Sequence, residues 1–459
     1  MLKDHISQFK GGLADGAELR AQRNTNRAVA ILGGSLVTNT RSERSGVSSR
    51  VYKNGVYGFA SAAEYTPERI GEIVKAATEN AVFLDSRVKK SKPALPVIGG
   101  GRRTTNIQEN DPEQKLYIDF AREIDAYIVK KYPKLASRIV QTRCDSMEKL
   151  LTVSEGYDSY SLMPRSFVYI ILTAETGDGA TTDLFDVHGG HGYFTDNFTT
   201  IDKLYEKIDK QYEKLMLKAE GVYAEAGMRD VVLSGDLAGI LAHEAVGHTV
   251  EADLVLGGSV AAHNLNRRVA SEIVTMIDYA YEMDGEAVPL PIFVDDEGTP
   301  AEDAVLIKDG VLTGYMNSRE SAQRFGVKPQ GNARAYEFSD EPLIRMRNTA
   351  ILPGKDKLED MIAAIDDGYL LTDTNNGQAD TTGEFMFGIC MGYEIKKGKL
   401  GRAVKNTTIS GVAFDMLKTV DMLSDEMQWT CSGMCGKKQP MPVGMGGPAV
   451  KCKVNMGGR

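Results

Sequence analysis

From Leu241 to Glu251 the chain reads Leu-Ala-His-Glu-Ala-Val-Gly-His-Thr-Val-Glu, and this stretch constrains the fold more than any other. Neutral imidazole nitrogens of His243 and His248 can ligate a metal, and Glu244, beside the first ligand, can serve as base toward a water molecule. The spacing is one residue longer than in the His-Glu-x-x-His helix of metalloproteases. On a regular helix the two rings would point about 140° apart and could not share a small ion. One wide turn, pairing residue i with i+5, returns them to one face, and such turns recur at functional sites. Gly247 stands where a distorted backbone costs least. Without a metal, the same residues would read as a helix whose Leu237, Ile240 and Leu241 face a core.

Such a helix needs a large support, and the chain can supply it. At about 150 residues per domain, 459 residues imply two or three domains. A content of 42% hydrophobic and 25% charged residues is that of a globular chain throughout. The balance of 54 basic and 63 acidic residues leaves a net charge of −9 with no basic block, which argues against direct nucleic-acid binding through phosphate neutralisation. No run of about 18 apolar residues occurs, and Met1-Leu-Lys-Asp-His lacks the apolar core of a secretory signal. These features predict a soluble, cytoplasmic protein without membrane attachment.

Along the chain, Asn54-Gly55 separates two alternating apolar and polar runs and predicts a hairpin. Thr66-Pro67 opens a helix carrying Ile70, Ile73, Val74 and Ala77 on one face. Lys92 to Asn110, rich in Pro and Gly, reads as a connection. Asp111-Pro112 starts a second helix with Leu116, Phe120, Ile124 and Tyr127 in a stripe, ended by Pro133. Strands are expected over 137–140, 149–153 and 166–174, and a helix over 201–219. His188-Gly-Gly-His191 is expected to be a glycine-rich loop rather than a second metal site. A strand at 230–234 leads into the motif helix, with Asp236 as its N-cap. Strands over 304–308, 311–316, 383–395 and 400–409, with turns at Asp309-Gly310 and Lys397-Gly398 and one helix over 358–366, complete the second half. The fold class expected is α+β: an N-terminal mixed domain, 1–225, divisible into lobes 1–100 and 101–225, then a mainly antiparallel β domain, 226–459, that carries the motif helix.

Five cysteines, an odd number, suit free thiols or a metal ligand better than a disulfide framework. Cys431 and Cys435 lie in a glycine-rich segment near the C-terminus, and a thiolate joining two histidines would complete a three-ligand zinc site with one position open. Either thiol alone could equally be a small buried hydrophobe.

Several ordered stretches resemble the TldD/PmbA family, also called modulators of DNA gyrase, and within it the TldD-like metallopeptidase branch. They are 17–20 and 51–61 near the start, 243–253 around the motif, Asp296-Glu-Gly-Thr-Pro300, Gly331-Asn-Ala-Arg334, Arg345-Met-Arg-Asn-Thr349, and Cys435-Gly-Lys437 followed by Pro442-Val-Gly444. The resemblance implies zinc held by His243, His248 and Cys435, with Glu244 as catalytic acid and base. It also implies a C-terminal β-domain that holds a peptide in extended form, and a homodimer or a heterodimer with a PmbA-like paralogue; the reading adopted is a zinc metallopeptidase acting on unfolded or flexible polypeptides. Lys438-Gln439-Pro440 departs from the usual late motif by one residue, Met391 stands where an acid is common, and Cys431 is an additional thiol. The rival readings are a non-catalytic modulator of a nucleic-acid enzyme such as gyrase, with a structural zinc, and a hydrolase of non-peptide amides.

Overall fold

Asn54 and Gly55, at φ of +48° and +95°, turn the chain between two strands of the first sheet, as the Asn-Gly pair predicts. The computed structural model describes residues 13, 16–64, 66–89, 94–105, 107–154 and 156–458. Met1 to His5 and part of the 92–110 connection lie outside them.

The N-terminal half comprises β1 (Ala17–Leu32), β2 (Ser35–Lys53), β3 (Val56–Ala62), α1 (Pro67–Val88), β4 (Gly101–Thr104), α2 (Gln114–Lys131), β5 (Ser137–Val153), β6 (Tyr157–Glu175), β7 (Thr181–His191), α3 (Phe194–Asn197) and α4 (Asp202–Ala219). The strands form one sheet in the order β3-β2-β1-β5-β6-β4, with β7 on β6. Because β1 pairs with β5 over its length, segments on both sides of the 92–110 connection share this sheet. The Thr66 hydroxyl caps α1 by accepting from the Arg69 N–H at 3.3 Å, and Ile70, Ile73, Ala77 and Ala81 are its buried face.

Three local expectations need correction. The runs 137–140 and 149–153 are one strand, because polar residues between them find partners: Arg165 donates to Asp145 at 3.0 Å and Arg23 to Glu148 at 2.8 Å. Helix α2 begins at Gln114, since the Asp111 carboxylate accepts from Arg27 and Tyr117 instead of capping. Its inner stripe is Tyr117, Ala121, Ile124 and Ile128, with Leu116 outside. Finally, His188 to His191 are not a loop but the end of β7, opposite Val168 to Arg165 of β6. Gly189, at φ +121°, is needed there because a Cβ would lie 2.0 Å from the Ser166 carbonyl oxygen.

Two large sheets dominate the C-terminal half, beside two short two-stranded ribbons, Glu282–Met283 with Glu286–Ala287 and Ala333–Arg334 with Leu343–Ile344. One runs, in spatial order, Asp367–Ala379, β8 (Gly227–Leu233), Val450–Met456, Thr407–Val412, Glu384–Lys396, Lys399–Val404. The other runs Val311–Leu312, Ala304–Lys308, Met276–Tyr279, Asn348–Ile351, Met441–Gly447, Gln428–Cys435. Pairing is mostly antiparallel, with parallel exceptions between Asp367–Ala379 and β8 and between Asn348–Ile351 and Met441–Gly447. The expected strand 311–316 stops at Leu312, and 400–409 is divided between two strands. Helix α5 (Gly235–Leu241) and the turns that follow it pack between these sheets, burying Leu237, Ala238, Leu241, Ala242, Ala245 and Val246 in the largest core. Burial on both sides explains why this helix is apolar nearly all round.

Buried ion pairs join the halves: Arg50 reaches Glu297 at 2.7 Å and Lys149 reaches Asp296 at 2.6 Å. Among the described residues no helix is long and apolar enough to cross a membrane.

Candidate metal centre

Helix α5 starts at Ser234, whose hydroxyl accepts from the Leu237 N–H at 3.4 Å; Asp236, expected as the cap, lies in the first turn instead. A carboxylate there still complements the helix dipole. The regular helix ends at Leu241, and Ala242–Gly247 form a π-helical turn followed by a 3₁₀ turn over His248–Val250. This is the wide turn that the five-residue spacing demands. It brings the imidazoles of His243 and His248 to 5.2 Å between ring centres, 79° apart in plane.

Gly247 serves a purpose other than backbone freedom. Its φ of −52° is ordinary for a helix, yet a Cβ at this position would lie 2.1 Å from Met346 Sδ. Glycine is required by space. Gly247→Ala is expected to cost roughly 1–3 kcal/mol through overpacking, measured by urea unfolding. Since both changes act on one contact, Gly247→Ala/Met346→Ala should lose less than the two single variants together. Additive losses would show that Met346 is not what excludes a side chain.

Cys435 ends the edge strand Gln428–Cys435 and faces the two histidines. The ligand atoms of His243, His248 and Cys435 all lie within 4.8 Å of one another. Cys435 Sγ is 3.4 Å from His248 Nε2. Burial alone would raise the thiol, but the adjoining imidazoles outweigh it and pull Cys435 down to about 3. His248 moves the other way: burial opposes its charge, yet Cys435 and then Glu251 lift it to about 10. Glu244 stands at the rim, its side chain 27% exposed and its Oε2 3.8 Å from His248 Nε2.

His243 tests whether a metal fits. It is only 1% exposed, and apart from the adjoining Cys435 thiol neither ring nitrogen has a hydrogen-bond partner. Unpaired buried nitrogens are costly, and a cation among two imidazoles and a thiolate would satisfy them. The nitrogen and sulfur donor set suits zinc, and three protein ligands leave a coordination position open.

Two family profiles match this chain. The PmbA/TldA metallopeptidase C-terminal domain profile matches residues 226–458, and the profile of domain 1 of that group matches residues 17–81. A metalloprotease of Methanothermobacter thermautotrophicus is 31% identical over 450 residues, covering 96% of this chain and 95% of the relative. This chain belongs to the PmbA/TldD metallopeptidase family. A zinc metalloprotease TldD homolog of Saccharolobus solfataricus is 29% identical over 89% of this chain and 88% of its own length. The crystal structure of TldE from Thermococcus kodakarensis shares the fold, with a TM-score of 0.75 at 18% identity over 98% of this chain and 99% of that one.

Within this PmbA/TldD fold, other sequence-level candidates fall outside the centre. Cys431 packs against Phe167 and Leu290 with Sγ 3.5 Å from the Pro289 carbonyl oxygen, and burial pushes its thiol up to about 12. His188 is buried 3.5 Å from Asp186, and burial lowers it to about 4. Among the described residues, His243, His248 and Cys435 form the one group of three His, Cys or acidic side chains with ligand atoms this close. Met391 is fully buried in the N-terminal core.

Sequence reasoning assigned no role to several residues around the ligands. Glu251, fully buried, accepts from His248 Nδ1 at 2.8 Å, and Lys437 lies 3.2 Å from the same carboxylate oxygen. Arg345, also buried, donates to the carbonyls of Cys435 at 2.7 Å, Lys437 at 2.9 Å and Gln439 at 2.8 Å. Gln439 in turn donates to the Glu341 carbonyl at 2.7 Å, so the shortened loop beyond Cys435 is pinned. Glu251, Arg345 and Lys437 all lie in stretches that carry the family resemblance, but local reading gave Arg345, 90 residues before Cys435, no role at the ligands.

Proposed function

We propose that this chain is a zinc metallopeptidase that hydrolyses peptide bonds in unfolded or flexible polypeptides. The observation that carries the reading is the set of three converged ligands, with Glu244 beside them at the partly open rim. The name of the Saccharolobus solfataricus relative supports zinc as the metal. Zinc, when bound, supplies Lewis acidity toward a scissile carbonyl and water. His243, His248 and Cys435 would hold it. The Glu244 carboxylate would take the proton of the attacking water and return it to the leaving amine nitrogen.

A cavity of about 240 Å³ lies on the elements that carry the ligands, though neither the ligands nor Glu244 line it, and could take part of an extended substrate beyond the reacting bond. Its walls include Asp236, Leu237 and Ile240 of α5, one to two turns before His243, and Trp429 to Ser432 of the strand that ends at Cys435. An edge strand beside a catalytic site can recognise main chain without demanding particular side chains. The proposal includes a dimer, with itself or with a PmbA-like paralogue. A purely structural zinc would call for a fourth protein ligand, and among the described residues the group has three.

Metal analysis together with cleavage of a mixture of flexible peptides, with and without a paralogue, tests the reading. Zinc-loaded protein that cleaves none of them under either condition would overturn it.

A further inference from the structure

Metal ligands need a second set of residues that hold them, and one linkage in this chain joins the two elements that carry them. Glu251 is completely buried, and its Oε2 accepts from His248 Nδ1 at 2.8 Å. A carboxylate can only accept, so Nδ1 carries a proton and donates it to Glu251, which leaves Nε2, on the side of Cys435, as the nitrogen that can ligate a metal. The same oxygen lies 3.2 Å from Lys437 Nζ, which also donates to Asp253 at 2.7 Å and to the Ile344 carbonyl at 3.2 Å. Lys437 follows Cys435 by two residues, while Glu251 and Asp253 follow His248 by three and five. One ammonium thereby fastens the cysteine loop to the histidine helix.

We propose that Glu251 and Lys437 are positioning residues that preassemble His248 and Cys435 and so set the affinity of the site for zinc. This rests on the reading that His243, His248 and Cys435 hold the metal. Two features separate it from simple packing. The polar neighbours of Glu251 Oε2 are a ligand and the lysine of the other ligand's loop, and its second oxygen, Oε1, is buried without a partner. A buried charge kept only for stability would be better replaced by an apolar side chain.

The test uses the full-length chain stripped of metal and titrated with Zn²⁺ or Co²⁺ alone. Zinc affinity is read by chelator competition, thiolate ligation by the cobalt charge-transfer absorption, and stability by metal-free unfolding. Glu251→Gln and Lys437→Met are each expected to weaken zinc binding about 10- to 100-fold and to diminish the cobalt–thiolate band. Lys437→Arg should restore most of the loss. Lys438→Met, which removes an equal charge from an exposed neighbour, should change nothing. Unaltered zinc affinity in both variants, whatever happens to metal-free stability, overturns the positioning role. Failure of both to fold also overturns it, since the residues would then serve the fold. Wild-type protein that binds no zinc would instead overturn the metal site itself.

Discussion

Glu244→Gln should retain its zinc and its fold while peptide cleavage falls about 10²- to 10⁴-fold, the usual cost of losing a general base. Glutamine matches glutamate in size and helix fit, and Glu244 is not among the three converged ligands. Nothing that holds the metal is therefore removed. The carboxylate is partly open to solvent at the rim, within reach of water and of a bound peptide, whereas Glu251, the other acid near His248, is sealed from both. The measurement is turnover of flexible peptides at equal zinc content. Equal rates for wild type and Glu244→Gln would reject the mechanism; loss of zinc in the variant would reassign Glu244 from base to ligand.

Cys435→Ala should lose most of its zinc, and Cys431→Ala should keep it. Removing an outer residue that orients a ligand costs about 10- to 100-fold in affinity, so removing the ligand should cost more than 100-fold. The thiols are in opposite states. Histidines hold Cys435 as a thiolate, while the apolar contacts of Cys431 keep it protonated. Metal analysis after dialysis against a chelator decides the matter. Retention in Cys435→Ala with loss in Cys431→Ala would reverse the assignment.

These two cysteines show where local reading of the chain stops. They are four residues apart on one strand, and strict alternation would put both on the same face. The register shifts between Thr430 and Gly433, where one extra residue is accommodated, and this bulge breaks the alternation. Cys431 meets Phe167 of the N-terminal sheet and Cys435 meets the histidine helix. Family resemblance selected Cys435, but composition and spacing could not, because a bulge is decided by what the strand pairs with.

Similar reasoning separates the rest. The hairpin at Asn54-Gly55, the Thr66 cap and the wide turn between His243 and His248 were legible because each depends on a few adjacent residues: a positive φ, a hydroxyl, a five-residue spacing. The length of β5, the start of α2 and the strand at His188 were not, because distant partners for Asp145, Asp111 and Gly189 decide them. Gly247 belongs to both groups. The sequence by itself placed a glycine at the distorted turn, but only the packing of Met346 revealed that the missing Cβ, and not a special backbone angle, is what the site requires. Local chemistry thus determined which residues could bind a metal. Long-range packing decided which of them meet, because ligands nearly 200 residues apart converge only when two sheets close over one helix.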